Sequence, residues 1–587
     1  MCGIAGIARH AGCEPQDRVH ASRLQQLLAL RGPDGAGTYF DERCVLVQTR
    51  LALVGPEYPL PLTSADARYA IAYNGEIYNF LELQSELGIA APSDTHVVLT
   101  AWLRWGAAAL RRLNGMFAFF IWDAVERRGF GACDPLGIKP FIYHSNAERF
   151  AFASEAGALI ESGAVAFSPE PEALAESLVA PYFSSATILP IAGVKRLPPG
   201  HYLEVKDGRV TVNAYFHFEH ARVYDADVND LVDQTAEGVE QAVTASLRAD
   251  MLVGVFLSGG VDSSLIAALA QRHTPEPVPV WTIAYDGQDR ADYSRSLIVK
   301  SCDQPYAERV AARHGCEHIV VHVDSTSYER ALVRTLRTND LIAAWEQEIS
   351  QNVLAEAASK RVKAVLVGDA ADETHFGYSF LLIPERIASP RRIIEFFGVA
   401  PLRRSFLDDP TAYFTCKYQK FAEDRGYSWR TPAEQRLAMS CLITHLWLTR
   451  LMHNGDAHLM AHSLEGRVPF GATRLLELAQ RIPQEVGYRD GIEKWHLRKA
   501  AERVLEAEIA WRPKSALTKN LFANAAIHRC FTSAWRRSGA LLEPYVDADR
   551  VEHIVSSGPP ETEREVGICF RLLAVLTWFE RFAGCST

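Results

Sequence analysis

The chain has no broad excess of positive charge. Its 587 residues carry 61 Lys plus Arg against 71 Asp plus Glu, a formal net charge of −10. That balance lacks the basic surface that nucleic-acid backbones demand, so no nucleic-acid partner is expected. Long apolar runs are missing too. The densest, Met116 to Trp122, falls far short of the roughly 18 residues of a membrane span and reads as a buried strand. No membrane partner is expected. The start, Met-Cys-Gly-Ile-Ala-Gly-Ile, has neither a basic stretch nor a long apolar core, so it does not read as a secretory signal. The 11 cysteines are scattered, odd in number and without a Cys-x-x-Cys pair. That argues against a disulfide framework or a structural zinc site and for a reducing, cytoplasmic compartment. Internal repeats and low-complexity segments are absent as well.

What is present is ordinary globular material, 48% hydrophobic and 22% charged. The length suits two to four domains at roughly 150 residues each. The first ~200 residues alternate short apolar runs with turn residues, which predicts many strands and few helices. The runs include Cys44–Gln48, Tyr69–Tyr73, Met116–Asp123, Phe141–His144 and Phe150–Ala153, with helices expected at Ser22–Leu30 and Thr95–Trp105. The acidic segment Tyr224–Asp230 helps to place a domain boundary near 210–228, drawn at 215/216. Beyond it, strands are expected at Met251–Leu257, Val278–Ala284, His318–Val323 and Val362–Val367, separated by helical patterns. Such alternation implies a parallel α/β sheet, which binds ligands at the carboxyl ends of its strands. After about residue 380 the pattern is mainly helical.

Two constellations carry chemistry. Cys2 follows the initiator Met directly. Removal of Met1 would put a thiol and a free α-amine on one residue, and the amine, with a reference pKa near 8, can take the thiol proton. A buried structural cysteine is the plainer reading. The second constellation is Phe256-Leu-Ser-Gly-Gly-Val-Asp-Ser-Ser264, between a strand and a helix. Glycines let the backbone approach an anion, and Ser258, Ser263 and Ser264 add hydroxyl donors at a helix N-terminus. A plain Gly/Ser turn is the alternative.

The ordered set Met1-Cys-Gly-Ile-Ala-Gly6, Arg31-Gly-Pro-Asp34, Arg50-Leu51, Asn74-Gly-Glu-Ile-Tyr-Asn79, Ser93-Asp94, Gly115-Met-Phe-Ala118, Asp134-x-Leu-Gly-Ile-Lys-Pro140 and Ala153-Ser-Glu155 resembles the class II glutamine amidotransferase domain. The resemblance implies a four-layer αββα Ntn-hydrolase sandwich over residues 1–215. It implies that Cys2 hydrolyses glutamine, with Asn74 and the N–H of Gly75 receiving the oxyanion. Arg50 would pair with the glutamine α-carboxylate and Asp94 and Glu76 with its α-ammonium, with Leu51 and Val54 completing that pocket. Leu30 stands where the family commonly has His, and His96 where it has an acid.

The Ser258 loop resembles that of enzymes that cleave ATP to AMP and pyrophosphate. Val367-Gly-Asp-Ala-Ala-Asp-Glu373 and Glu465-x-Arg467-x-Pro-Phe470 are similar to segments of glutamine-dependent asparagine synthetases. That likeness covers about residues 1–520; the last ~65 residues carry no usable motif. It implies ATP and Mg2+, with Asp262 and Asp372 as metal ligands and Asp369 needed to form an acyl-adenylate. Lys494 and Lys514 would lie near the phosphates. Leu257, Gly259, Gly260, Ile283, Tyr285, Val367 and Gly368 would complete the nucleotide site. The implied reaction is an ATP- and glutamine-dependent conversion of a carboxylate to an amide, and a homodimer is compatible with it. The acceptor region departs from the family: Asn339-Asp-Leu-Ile-Ala-Ala-Trp-Glu346 lacks the cation expected for a dicarboxylate, and Pro469-Phe-Gly-Ala472 replaces Pro-Phe-Leu-Asp. A carboxylic acid other than free aspartate, small or carrier-bound, is therefore expected, with Trp345 facing it. A cyclase using an internal amine, as in β-lactam synthetases, and a non-catalytic relative stay open as alternatives.

Overall fold

The structure is a computed structural model; it describes residues 2–221, 227–291, 293, 299–338, 340–378, 389–517, 520 and 523–585. Asn339 and part of the acidic segment near the boundary lie outside the described residues.

Strand periodicity of two builds the N-terminal unit. In Cys2–Arg9 and Cys44–Arg50, which pair antiparallel, Ile4, Ala8, Cys44 and Leu46 pack between two sheets with Phe120 and Phe152. The alternate residues Ala5, Ile7, Val45 and Val47 face outward against Ala21 and Leu24 of the helix Pro15–Leu27. The first sheet runs, in spatial order, Val194–Arg196, Ile142–Ser145, Arg149–Ala153, Cys2–Arg9, Cys44–Arg50, Gly35–Phe40. The second runs Arg209–Ala214, His201–Lys206, Arg128–Cys133, Gly115–Asp123, Tyr69–Ile77, Leu62–Thr63. Helices Phe80–Leu87 and Asp94–Trp105 cover its outer face through Leu83, Val97 and Val98. This is the expected αββα sandwich.

The C-terminal unit holds a five-stranded, wholly parallel sheet in the order Glu317–Val323, Pro279–Tyr285, Gly254–Phe256, Ala364–Leu366, Glu465–Arg467. The strand order reverses between Gly254–Phe256 and Ala364–Leu366. In open parallel sheets ligands bind at such a switch point, beyond the strand ends. The loops that follow these two strands are the Ser258 and Asp369 loops.

Two expectations are corrected, and the last ~65 residues gain a role. The helix placed at Ser22–Leu30 begins at Pro15, because Pro is preformed for a first helical position and Asp17 accepts from the Glu14 N–H at 2.7 Å. The strand placed at Met251–Leu257 is only Gly254–Phe256, and Met251 and Leu252 are exposed. The last ~65 residues are structural: the capped helix Glu563–Phe582 buries Phe570, Leu573, Trp578 and Phe582, with Trp578 and Phe582 packed on Phe167 of the first unit. Its signal was present as a 3.6-residue apolar period but carries no chemistry-bearing motif.

Candidate active sites

Cys2 opens the central strand of the first sheet, and strand alternation turns its side chain toward the second sheet. There Gln48 Nε2 approaches Sγ at 3.8 Å. Burial pushes the thiol up, while the Gln48 side chain and the Leu51 backbone N–H, both donating to sulfur, pull it down. The Cys2 N–H donates to Asn74 Oδ1 at 3.0 Å. The other end of that amide, Asn74 Nδ2, is fully buried with no hydrogen-bond partner. A buried, unsatisfied donor beside a thiol is what an oxyanion site requires. Gly75 admits no side chain, since a Cβ would lie 2.4 Å from the Met116 carbonyl oxygen.

Arg50 stands directly across the sheet from Cys2. One guanidinium nitrogen donates to the carbonyls of Val54 and Gly55, and the group lies 4.8 Å over the Tyr58 ring. Asp94 accepts from the Tyr73 hydroxyl at 2.6 Å and the Ile77 N–H at 3.2 Å. Burial raises its carboxyl against those bonds. Glu76 stands two residues beyond Asn74 on the strand Tyr69–Ile77. It faces Arg467 Nη2 of the second unit at 3.5 Å, and burial raises its carboxyl to about 8. Arg467 also holds Glu465 at 2.5 Å and the Ser246 and Arg248 carbonyls. The Glu465–Arg467 segment therefore ties the two units together.

The second site is a cavity of about 280 Å³ at the switch point of the parallel sheet. Leu257, Ser258, Asp262, Ser263, Ile283, Val367, Gly368, Asp369, Asp372 and Lys514 line it. The loop is pinned from within: Ser258 Oγ and Ser263 Oγ lie 3.0 Å apart, and Arg512 donates to the Ser258 carbonyl at 2.9 Å and to Asp303 at 2.7 Å. Lys494, only 1% exposed, bridges Asp262 Oδ2 at 2.5 Å and Asp372 Oδ1 at 2.7 Å. Lys514 takes the other Asp372 oxygen. Burial alone would raise Asp372, but the two ammonium groups hold it well below the usual carboxylate range. Asp369 goes the other way, raised to about 6 by burial. Glu373 is raised to about 8 by burial and by its neighbour Asp372.

Four expected nucleotide residues line no part of this cavity. Tyr285 is turned into the core, its hydroxyl 2.7 Å from Ser350 Oγ. Gly259 has φ +69°, and a Cβ there would lie 2.5 Å from that of Tyr306, so it serves the close approach of the helix Gln304–His314. Gly260 precedes the helix Val261–Arg272, and Ser264 is buried inside it with its hydroxyl unpartnered.

Two carboxylates converging on one cation, with Asp262 Oδ1 buried and unpartnered, form a donor set that fits a magnesium ion on nucleotide phosphates. Asp262 and Asp372 are the residues that would hold it.

Sequence reasoning missed the residues between the sites. Arg31 reaches the Cys2 carbonyl at 3.4 Å, Glu155 at 3.1 Å and Asp456 at 2.7 Å. Asp456 also lies 3.5 Å from Lys139, and both line the cavity together with Ile138. Arg31, Lys139 and Glu155 stand inside motifs quoted above. Asp456, in an otherwise unmarked helix, gave no signal.

A buried cysteine opening the central strand of an αββα sandwich, joined through buried ion pairs to the wall of a cavity at a parallel-sheet switch point, is the architecture of a glutamine amidotransferase coupled to an ATP-using ligase. Residues 1–216 match the glutamine amidotransferase domain family, and residues 234–580 match asparagine synthase. The chain is 28% identical to asparagine synthetase [glutamine-hydrolyzing] 3 of Bacillus subtilis, over 88% of this chain and 87% of that protein. It is 30% identical to a putative asparagine synthetase of Mycobacterium bovis (92% and 89% covered) and 25% to asparagine synthetase B of Escherichia coli (88% and 81%). The chain belongs to the asparagine synthase family and is a glutamine-hydrolysing, asparagine synthetase-like amidotransferase.

Proposed function

We propose that this chain converts a carboxylic acid other than free aspartate to its amide, using ATP and the amide nitrogen of glutamine, with its two units dividing at 215/216. The observation that carries the reading is the buried Arg31–Asp456 link, which joins the Cys2 backbone to the wall of the ATP cavity.

The Cys2 thiolate attacks the glutamine carboxamide carbon once the α-amine of Cys2, freed of Met1, takes the thiol proton. Asn74 Nδ2 and the Gly75 N–H receive the oxyanion, a preorganised interaction worth about 3–4 kcal/mol of barrier. The C–N bond breaks, ammonia leaves, and water hydrolyses the thioester to glutamate. At the other site an oxygen of the acceptor carboxylate attacks the α-phosphorus of ATP, and the bond to pyrophosphate breaks. Lys494 and Lys514 offset charge on the departing phosphates. Magnesium, when bound by Asp262 and Asp372, supplies further neutralisation of those phosphates. Ammonia attacks the acyl carbon and AMP leaves. Asp369, which lines the cavity, serves formation of the acyl-adenylate. Passage through the interior keeps ammonia unprotonated and therefore nucleophilic; Ile138, Lys139 and Asp456 border that passage.

Replacing Cys2 by Ala tests the reading. Glutamine-driven amide formation should vanish while ammonia-driven formation persists. Equal loss of both would mean that Cys2 does not serve as the nitrogen-releasing nucleophile.

A further inference from the structure

The cavity has an aromatic wall beside its acids. Trp345, Phe397, Trp447 and Tyr378 line it, together with Leu451. The Trp345 ring lies 5.1 Å from Trp447 and 6.0 Å from Phe397, and Tyr378 lies 5.5 Å from Trp447. Tyr378 joins this wall to the chemistry: its hydroxyl donates to Glu373 at 2.5 Å, and the Lys514 ammonium lies 5.8 Å over its ring. A carboxylate placed for adenylation at Asp372 and Lys514 would thus carry the rest of its molecule against these rings.

The wall is held by specific devices. Trp447 ends a π-helical turn, Ile443–Trp447, set between the α-helices Pro432–Leu442 and Leu448–Met460. Such turns re-aim side chains and recur at functional sites. Leu451, four residues on, shares its helix face. Arg571 of the C-terminal helix donates to the carbonyls of Phe397 and Gly398 at 3.0 and 2.8 Å, fastening the end of the helix Pro390–Phe397. Tyr182 of the first unit backs the cluster, 4.4 Å from Phe397 and 4.8 Å from Trp447.

Two further facts narrow the acceptor. Among the described residues no arginine lines the cavity; its lysines are Lys139 beside Asp456, Lys514 on Asp372, and Lys300, whose backbone N–H donates to Ser515 Oγ. Arg450, on the helix carrying Leu451, spends its guanidinium on the Ile342 carbonyl. Among the described residues the cation against this wall is Lys514, already paired with Asp372, so a second carboxylate there would gain no further partner. In addition, Trp447 is 2% exposed, and its indole N–H has no hydrogen-bond partner. Buried indole donors are normally satisfied.

We propose that the acceptor is an aromatic monocarboxylic acid, its ring held by Trp345, Phe397 and Trp447, with a ring hydroxyl or heteroatom accepting from the Trp447 indole. This rests on the ligase reading above and names its substrate class.

The test uses the full chain with ATP and Mg2+, following pyrophosphate release with aspartate, succinate, benzoate, 4-hydroxybenzoate and indole-3-carboxylate. The aryl acids should exceed both dicarboxylates by about tenfold or more in kcat/KM, and Trp345→Ala or Phe397→Leu should raise KM for the best aryl acid about tenfold with a smaller change in kcat. Trp447→Phe keeps a ring but removes the donor, so it should erase the preference for 4-hydroxybenzoate over benzoate. Melting curves confirm that each variant is folded. Aspartate as the best acceptor would overturn the aromatic assignment and the exclusion of aspartate, and leave ATP-dependent amide formation from glutamine standing. Release with none of the acids, in a preparation that hydrolyses glutamine, would remove the ligase reading and the assignment with it.

Discussion

Burial sets the behaviour of each acid in the loop Gly368–Glu373, and neighbours decide the sign. Asp372 is paired twice with ammonium groups and stays charged, whereas Glu373 accepts from the Tyr378 hydroxyl and is raised to about 8 by burial and by Asp372. A carboxyl whose folded pKa is raised adds stability at low pH and loses it as pH climbs through the folded value. Glu373→Gln should therefore melt progressively higher than the parent as pH rises from about 4.5 to 8, with the difference level above that. Melting temperatures across that range check it; a pH-independent difference would contradict the assignment. Ala370 adds a second case. It sits at φ +72°, a left-handed conformation that costs a residue with a Cβ about 1–2 kcal/mol, partly offset in glycine by backbone entropy. Ala370→Gly should stabilise the chain by about 0.5–1 kcal/mol in denaturant unfolding.

The elements show what sequence periodicity reveals and what it leaves dark. The strand at Cys44–Gln48 and the strand–loop–helix at Ser258 were legible, because local spacing alone separates apolar runs from turn residues; the strand Cys2–Arg9 was not. The roles of the loops carrying Asp262 and Asp369 were legible through their resemblance to asparagine synthetase segments. The aromatic wall was legible only at Trp345: Phe397 and Trp447 come from separate helices, and a π-helical turn breaks the 3.6-residue period that would have flagged Trp447. Glu465–Arg467 was legible as a motif, but its place was not. It is the edge strand of the parallel sheet, and its arginine reaches across to Glu76. Arg467→Ala would strand Glu465, with Glu76 beside it, in a dry interface. Removing one partner of a buried pair costs about 3–5 kcal/mol. Arg467→Ala should lower the unfolding free energy by that amount, and Arg467→Met with Glu465→Gln should recover much of it. Independent, additive losses would contradict a shared ion network.

At the scale of the whole molecule, the two units are joined by buried charge as well as by apolar packing. Arg31, Glu155, Asp456 and Lys139 form one cluster, and Glu76, Arg467 and Glu465 a second. The C-terminal helix adds a third join, through Arg581 to Glu161 at 2.5 Å and through Trp578 and Phe582 to Phe167. Such ties hold Cys2 in one unit in fixed relation to the switch-point cavity in the other. That relation is the central claim: nitrogen released at Cys2 is consumed inside the same chain.

The direct test supplies amide-15N glutamine, ATP, Mg2+ and an accepted carboxylic acid, with unlabelled ammonium present at a level too low to drive turnover alone. Internal transfer predicts 15N-labelled amide forming close to one per glutamate produced. Glutamate accumulating with little product, or product carrying the isotope ratio of the bulk ammonium, would contradict it.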